Sequence, residues 1–152
     1  MTKITTKAYG EITVEDRQIF EFPEGILGFD YIKKFAFIDA DDDKSPFKWL
    51  QAIEEPDLAF VIISPVDFLH SYELHIAQAE YEAINAKKSD ELLVYAIVTI
   101  PDNPSEMTAN LQGPIILNPK NNTGRQAISI SDKYHVKHKI LDEMSKNGKQ
   151  EG

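Results

Sequence analysis

Short runs of β-branched and aromatic residues, each cut off by Gly, Pro, Asp or Asn, recur along the whole chain, which is the pattern of an all-β sandwich or barrel. The runs predict strands over Ile4–Tyr9, Ile12–Val14, Ile19–Phe22, Phe35–Ile38, Lys48–Ala52, Leu58–Ile63, Ser71–Ile76, Leu92–Ile100, Thr108–Leu111, Ile115–Leu117 and Gln126–Ile130. Phe20 with Phe22, Phe35 with Phe37 and Ile128 with Ile130 each share a face at period two. Leu58–Ile63 and Leu92–Ile100 are almost continuously apolar and are expected to be central strands buried on both faces.

Helical spacing occurs twice. Ala77–Ala86 sets Ile76, Tyr81 (or Ala79 and Ala83) and Ile84 at near-helical intervals and predicts a brief surface helix, with Asn85, Lys87 and Lys88 near its end. At the C-terminus, Ser131 or Asp132 can cap a helix whose stripe is Val136, Ile140 and Met144, ending at Asn147-Gly148. The interruptions Asp41–Lys44, Pro101–Ser105 and Pro119–Gly124 read as loops inside one domain. The fold expected is mainly β: a single antiparallel barrel-like or roll domain over residues 1–152, with one or two short helices and a helical or tail segment over about 132–152.

Composition narrows the function. With 152 residues and 42% hydrophobic content the chain can bury a core. The absence of cysteine excludes disulfides, thiolate zinc sites and a cysteine nucleophile, and suits a reducing compartment. The opening Met-Thr-Lys-Ile-Thr-Thr-Lys has no apolar run behind it and no stretch has the length of a membrane span, so a cytoplasmic location without membrane contact is expected. The net charge is −9; residues 1–131 carry 11 basic and 21 acidic side chains, against 5 and 4 in residues 132–152. A body this acidic is a poor match to nucleic acid, whose binding draws on Lys and Arg, and a good match to a basic protein.

Candidate chemistry is thin. Asp39, Asp41 and Asp43 have the spacing of the first calcium ligands of an EF-hand loop, but Lys44 and Leu50 stand where that loop needs glycine and a bidentate glutamate. His135 and His138 could share a helix face without a third ligand nearby, and His70 and His75 stand apart from them. No Gly-x-Ser-x-Gly or Gly-x-x-x-x-Gly-Lys pattern occurs. The chain is therefore expected to be no enzyme and to hold no metal or cofactor. Asn121-Asn122-Thr123 spells a glycosylation sequon and is read as a polar turn.

Three segments remain. Phe20–Phe29 turns on Pro23, Gly25 and Gly28 and carries Ile26, Leu27 and Phe29, as an apolar turn covering one end of a barrel would. Pro46–Ala52 alternates, with Trp49 and Gln51 on one face and Lys48, Leu50 and Ala52 on the other; the tryptophan suits either a core or an interface. Thr108–Asn118 places Asn110 and Asn118 at strand ends, where amides stitch turns or meet a ligand.

Taken in order, Phe-x-Phe-Pro-x-Gly-Ile-x-Gly-Phe at Phe20–Phe29, Pro-Phe-x-Trp-Leu-Gln at Pro46–Gln51, Phe60 to Pro65, Thr-Ala-Asn-Leu-x-x-Pro-Ile at Thr108–Ile115 with Asn118, and Gln126 resemble the FliW family of flagellar assembly factors over nearly the whole chain. The resemblance implies a cytoplasmic, chaperone-like protein that binds flagellin. It further implies that the protein, once freed by flagellin export, binds and antagonises the translational regulator CsrA, relieving repression of flagellin mRNA. The contact surface is expected near an open sheet edge, with Phe47, Trp49, Leu50, Gln51, Asn110 and Asn118 as partner-binding residues. The generic alternative is a small-molecule-binding β-barrel, which would need a large closed apolar cavity. Direct RNA binding is a third class, disfavoured by the charge.

Overall fold

The structure is a computed structural model and describes residues 1–39, 45–87 and 91–151, with the backbone alone at 146–151. The predicted loop Asp41–Lys44 and most of the acidic cluster lie outside the described residues, as does Lys88.

The strands are β1 (Thr2–Thr6), β2 (Gly10–Val14), β3 (Ile19–Glu21), β4 (Lys34–Asp39), β5 (Phe47–Ala52), β6 (Ala59–Ile63), β7 (Leu93–Thr99), β8 (Thr108–Ala109), β9 (Ile115–Asn118), β10 (Thr123–Gln126) and β11 (His138–Lys139). From β3 to β7 they follow one another as antiparallel neighbours, as short-range pairing favours. β10 then joins β3 in parallel, β9 joins β10, and Leu93–Tyr95 of β7 pairs with Ile115–Leu117 of β9. The sheet therefore closes into a seven-stranded barrel, β7-β6-β5-β4-β3-β10-β9 and back to β7. The far end of β7 leaves the barrel to pair with β8, and β8 with β11.

The barrel interior is filled rather than hollow. Phe20, Phe22, Phe35, Leu50, Ile62, Ile115 and Leu117 are buried there, with Phe29, Phe37, Phe60 and Tyr95 against them. Phe22 meets Phe35 edge-on at 5.0 Å between centroids, an arrangement favoured by ring quadrupoles. At their centres the two apolar runs are buried on both faces, with Ile62 and Ile97 inward and Ile63 and Val98 packed outward under Phe68, Tyr72, Tyr134 and Ile140, whereas Leu93 and Ile100 of the second run are exposed. The β1–β2 hairpin covers the outer face of β4 and β5 through Ile4 and Val14, which pack with Ala36, Ile38 and Trp49. Its turn begins after Thr6, because Gly10 takes φ +67° and the Thr6 hydroxyl accepts from the Tyr9 N–H and donates to the Gly10 carbonyl; the predicted strand to Tyr9 is cut short there.

Three other elements differ from expectation. Ser71–Ile76 buries Tyr72 and Ile76 with strand-like alternation, yet it makes only one bridge, Ile76 with Ser129. The last barrel strand is Thr123–Gln126, earlier than Gln126–Ile130. The C-terminal helix α2 is Ile140–Glu151, not a helix from 131 or 132. Residues before it turn because the Tyr134 ring packs at a tilt against Tyr72 with 4.8 Å between centroids, its hydroxyl accepts from the Glu73 N–H, and His138 pairs with Ala109 of β8. The predicted 77–86 helix is real but shorter, α1 spanning Gln78–Ala83.

Candidate partner-binding surface

The six residues expected to touch a partner do not form one patch. β5 lies between β4 and β6, so it offers no free edge. Leu50 is in the barrel interior. Gln51 is buried on the opposite side; its Oε1 accepts from the Lys7 N–H and its Nε2 donates to the carbonyls of Pro56 and Leu58, so it ties the hairpin turn to the barrel. Asn118 is buried too, donating to the Ile84 carbonyl at 2.8 Å and accepting from the Lys120 N–H. Phe47 and Trp49 are half-buried, packed in different clusters. Asn110 alone borders a groove: its Oδ1 accepts from the Gln112 and Gly113 N–H groups and fixes that turn. His135 and His138 sit on a turn and on β11, with rings 6.1 Å apart, and His138 Nε2 is 3.3 Å from Glu143.

That groove, of about 620 Å³, runs along the outside of the barrel between the Phe20–Phe29 turn and residues 125–128. The turn does cover a barrel end, since Ile26 and Phe29 pack into the interior cluster. Gly25 makes this possible with φ +68°, and a Cβ there would stand 2.5 Å from Asp30 Cα. Reversing direction this tightly ejects the neighbour: Leu27 is 87% exposed. Opposite it, Ile128 is 67% exposed and Val136 53%, with Ile130 following at 69%.

The 127–130 segment thus alternates at period two, with its large side chains on the outer face. Small Ala127 and Ser129 point inward and the two isoleucines outward. Hydrogen bonds hold that parity: Ala127 N–H to the Pro114 carbonyl, Ser129 N–H to Gln112, Ile130 N–H to His75, and Ile128 N–H to Glu80 Oε2. Glu80 projects from α1, is buried, and is also engaged by Arg125, whose guanidinium binds Glu24 as well. Gln126 ties both walls, accepting from the Leu27 N–H and donating to the Gly113 carbonyl. Sequence reasoning missed this surface, although it had singled out Leu27 and the Ile128–Ile130 pair. The available signal was the alternation of small with large residues beside an Arg-Gln pair, which marks a strand whose inner side has no room.

Two phenols are shifted. Burial, then the nearby Tyr134 and Tyr81, pushes Tyr72 far above the ordinary phenol value; burial, then Asp39, raises Tyr95.

A family model described as FliW protein matches residues 3–140. The chain is similar to the flagellar assembly factor FliW of Alkaliphilus metalliredigens (strain QYMF), 42% identical over 147 residues, covering 97% of this chain and 91% of that protein. It is 46% identical over 141 residues to the flagellar assembly factor FliW of Leptospira interrogans (serovar Lai, strain 56601), covering 92% and 93%. A crystal structure of the flagellar assembly factor FliW superposes with a TM-score of 0.82 at 32% identity, covering 92% of this chain and 97% of that one.

Proposed function

The chain belongs to the FliW family, and on that premise we propose that it is a cytoplasmic, non-catalytic flagellar assembly factor that binds flagellin and, when free of it, binds and antagonises CsrA. Flagellin held in the cytoplasm is kept from premature association. CsrA held by the freed protein no longer represses flagellin mRNA. The observation that carries this reading is family membership over nearly the whole chain, joined to a net charge of −9 that complements a basic RNA-binding partner and repels the message itself.

A filled barrel interior supports docking by surfaces rather than capture of a small molecule inside the barrel. Phe47, Trp49 and Asn110, which keep part of their surface, are the proposed contacts among the sequence-nominated residues, with Leu50, Gln51 and Asn118 acting behind them as supports. Titration calorimetry with purified flagellin and CsrA, singly and in competition, tests the function: binding of each and displacement of CsrA by flagellin are expected. Binding of neither would end the reading. Trp49 is the single tryptophan, so an emission shift on adding either protein checks contact near β5.

A further inference from the structure

We propose that the groove between Leu27 and Ile128 is a docking site for an amphipathic α-helix that carries an apolar stripe flanked by Lys or Arg. This rests on the reading that the chain works by binding proteins, and it names the site and the chemistry of the bound segment.

Three observations carry it. First, three large apolar side chains that fill no core surround one open concavity: Leu27 on one wall, Ile128 and Val136 on the other, above a floor of Ile26 and Ala127. Single exposed apolar residues are ordinary, but several converging on a groove mark an interaction surface. Second, the backbone donors at Leu27 and along 127–130 are spent. Leu27 N–H is bound to Gln126, and the N–H groups of 127 to 130 all run to internal acceptors, alternately on the two sides of the segment. An extended peptide adding as a strand needs donors and acceptors left free on one side, and these donors are not. What the groove presents is side chains, which a helix reads with residues at i, i+3, i+4 and i+7. Third, the charge lining the groove selects the occupant. Glu24 and Asp30 are acidic, and the base among the lining residues, Arg125, is held by Glu24 and Glu80. A second copy of this acidic chain is disfavoured by the same field. Lys137 follows Val136, so the occupant's bases belong on the Asp30 side.

Leu27 and Ile128 are exposed enough for Leu27→Asp and Ile128→Asp to leave folding intact, which an unchanged urea midpoint verifies. The probe is a synthetic peptide of about 18 residues, roughly five helical turns, with leucines on one face and lysines on the other; a leucine–glutamate peptide of the same stripe is the charge control. The expected result is helical binding of the lysine peptide, protection from hydrogen exchange at residues 24–30 and 126–136, and at least about a tenfold loss of affinity in the double variant. Leu27→Met should retain affinity. Equal affinity of the double variant, equal binding of the glutamate peptide, or self-association of the chain abolished by Leu27→Asp would each overturn the site. Flagellin and CsrA titrated against the wild-type chain form a separate arm: if neither binds while the peptide still docks in the groove, the flagellar reading fails and the site stands.

Discussion

Replacing Glu80 by alanine tests how the groove wall is built. Glu80 is 7% exposed and answers two groups at once, the Ile128 N–H at 2.6 Å and the Arg125 guanidinium. Hydrogen bonds to a charged group contribute about 1.5–3 kcal/mol each, and a buried donor left unsatisfied costs on the same scale. The Arg125 part is discounted, because its side chain is 28% exposed and Glu24 still engages it. The loss should therefore be about 2–4 kcal/mol, a shift in urea midpoint of about 1–2 M at an ordinary denaturant slope. Glu80→Gln keeps an oxygen for the Ile128 N–H and should lose less. Hydrogen exchange at Ile128 should accelerate in the alanine variant more than in the barrel strands. A midpoint change equivalent to less than about 0.5 kcal/mol, or exchange at Ile128 unchanged, would refute the idea that this carboxylate holds the isoleucines outward.

Other outcomes follow from the same geometry. Gly25→Ala should destabilise by about 1–3 kcal/mol, since φ +68° disfavours an L side chain and the added carbon meets Asp30 backbone; equal thermal stability would argue against it. The raised phenols of Tyr72 and Tyr95 bind their protons more tightly folded than unfolded, so the stability they contribute is complete below about pH 10 and falls as pH rises past that value. Urea midpoints should accordingly begin to drop above about pH 10 and keep falling as the pH rises further, and Tyr72→Phe should flatten the drop.

Much of the barrel was legible because its strands are short-range hairpins whose apolar runs alternate or saturate as burial demands. Leu58–Ile63 and Leu92–Ile100 read as central strands and are so in β6 and β7. Where the reading failed, competing partners decided. The stripe Val136, Ile140 and Met144 has helical spacing, yet Tyr134 and the pairing of His138 with Ala109 take the preceding backbone for other uses, leaving Val136 outside. Ile128 and Ile130 share a face by spacing alone, and which way that face points is decided by Glu80, distant in sequence, which accepts from the Ile128 N–H. The proposed docking groove was least legible of all. Trp49, Leu50 and Gln51 stand out by residue type, but what they hold is the hairpin and the barrel core, whereas Leu27 is made prominent by a turn whose shape depends on Gly25.

The parallel junction of β3 with β10 is a single ladder pair, Thr123 with Glu21, assisted by Asn122, whose side chain donates to the carbonyls of Asp16 and Ile19 and whose carbonyl accepts from the Glu21 N–H. Those partners are separated by 103 positions along the chain in the case of Ile19 and Asn122. Successive hairpins from β3 to β7 can assemble as they leave the ribosome, but the cylinder cannot shut until residue 126 has been synthesised. Closure is then the late, slow event of folding, and an Asn122 substitution should chiefly hasten unfolding while leaving the rate of hairpin assembly alone.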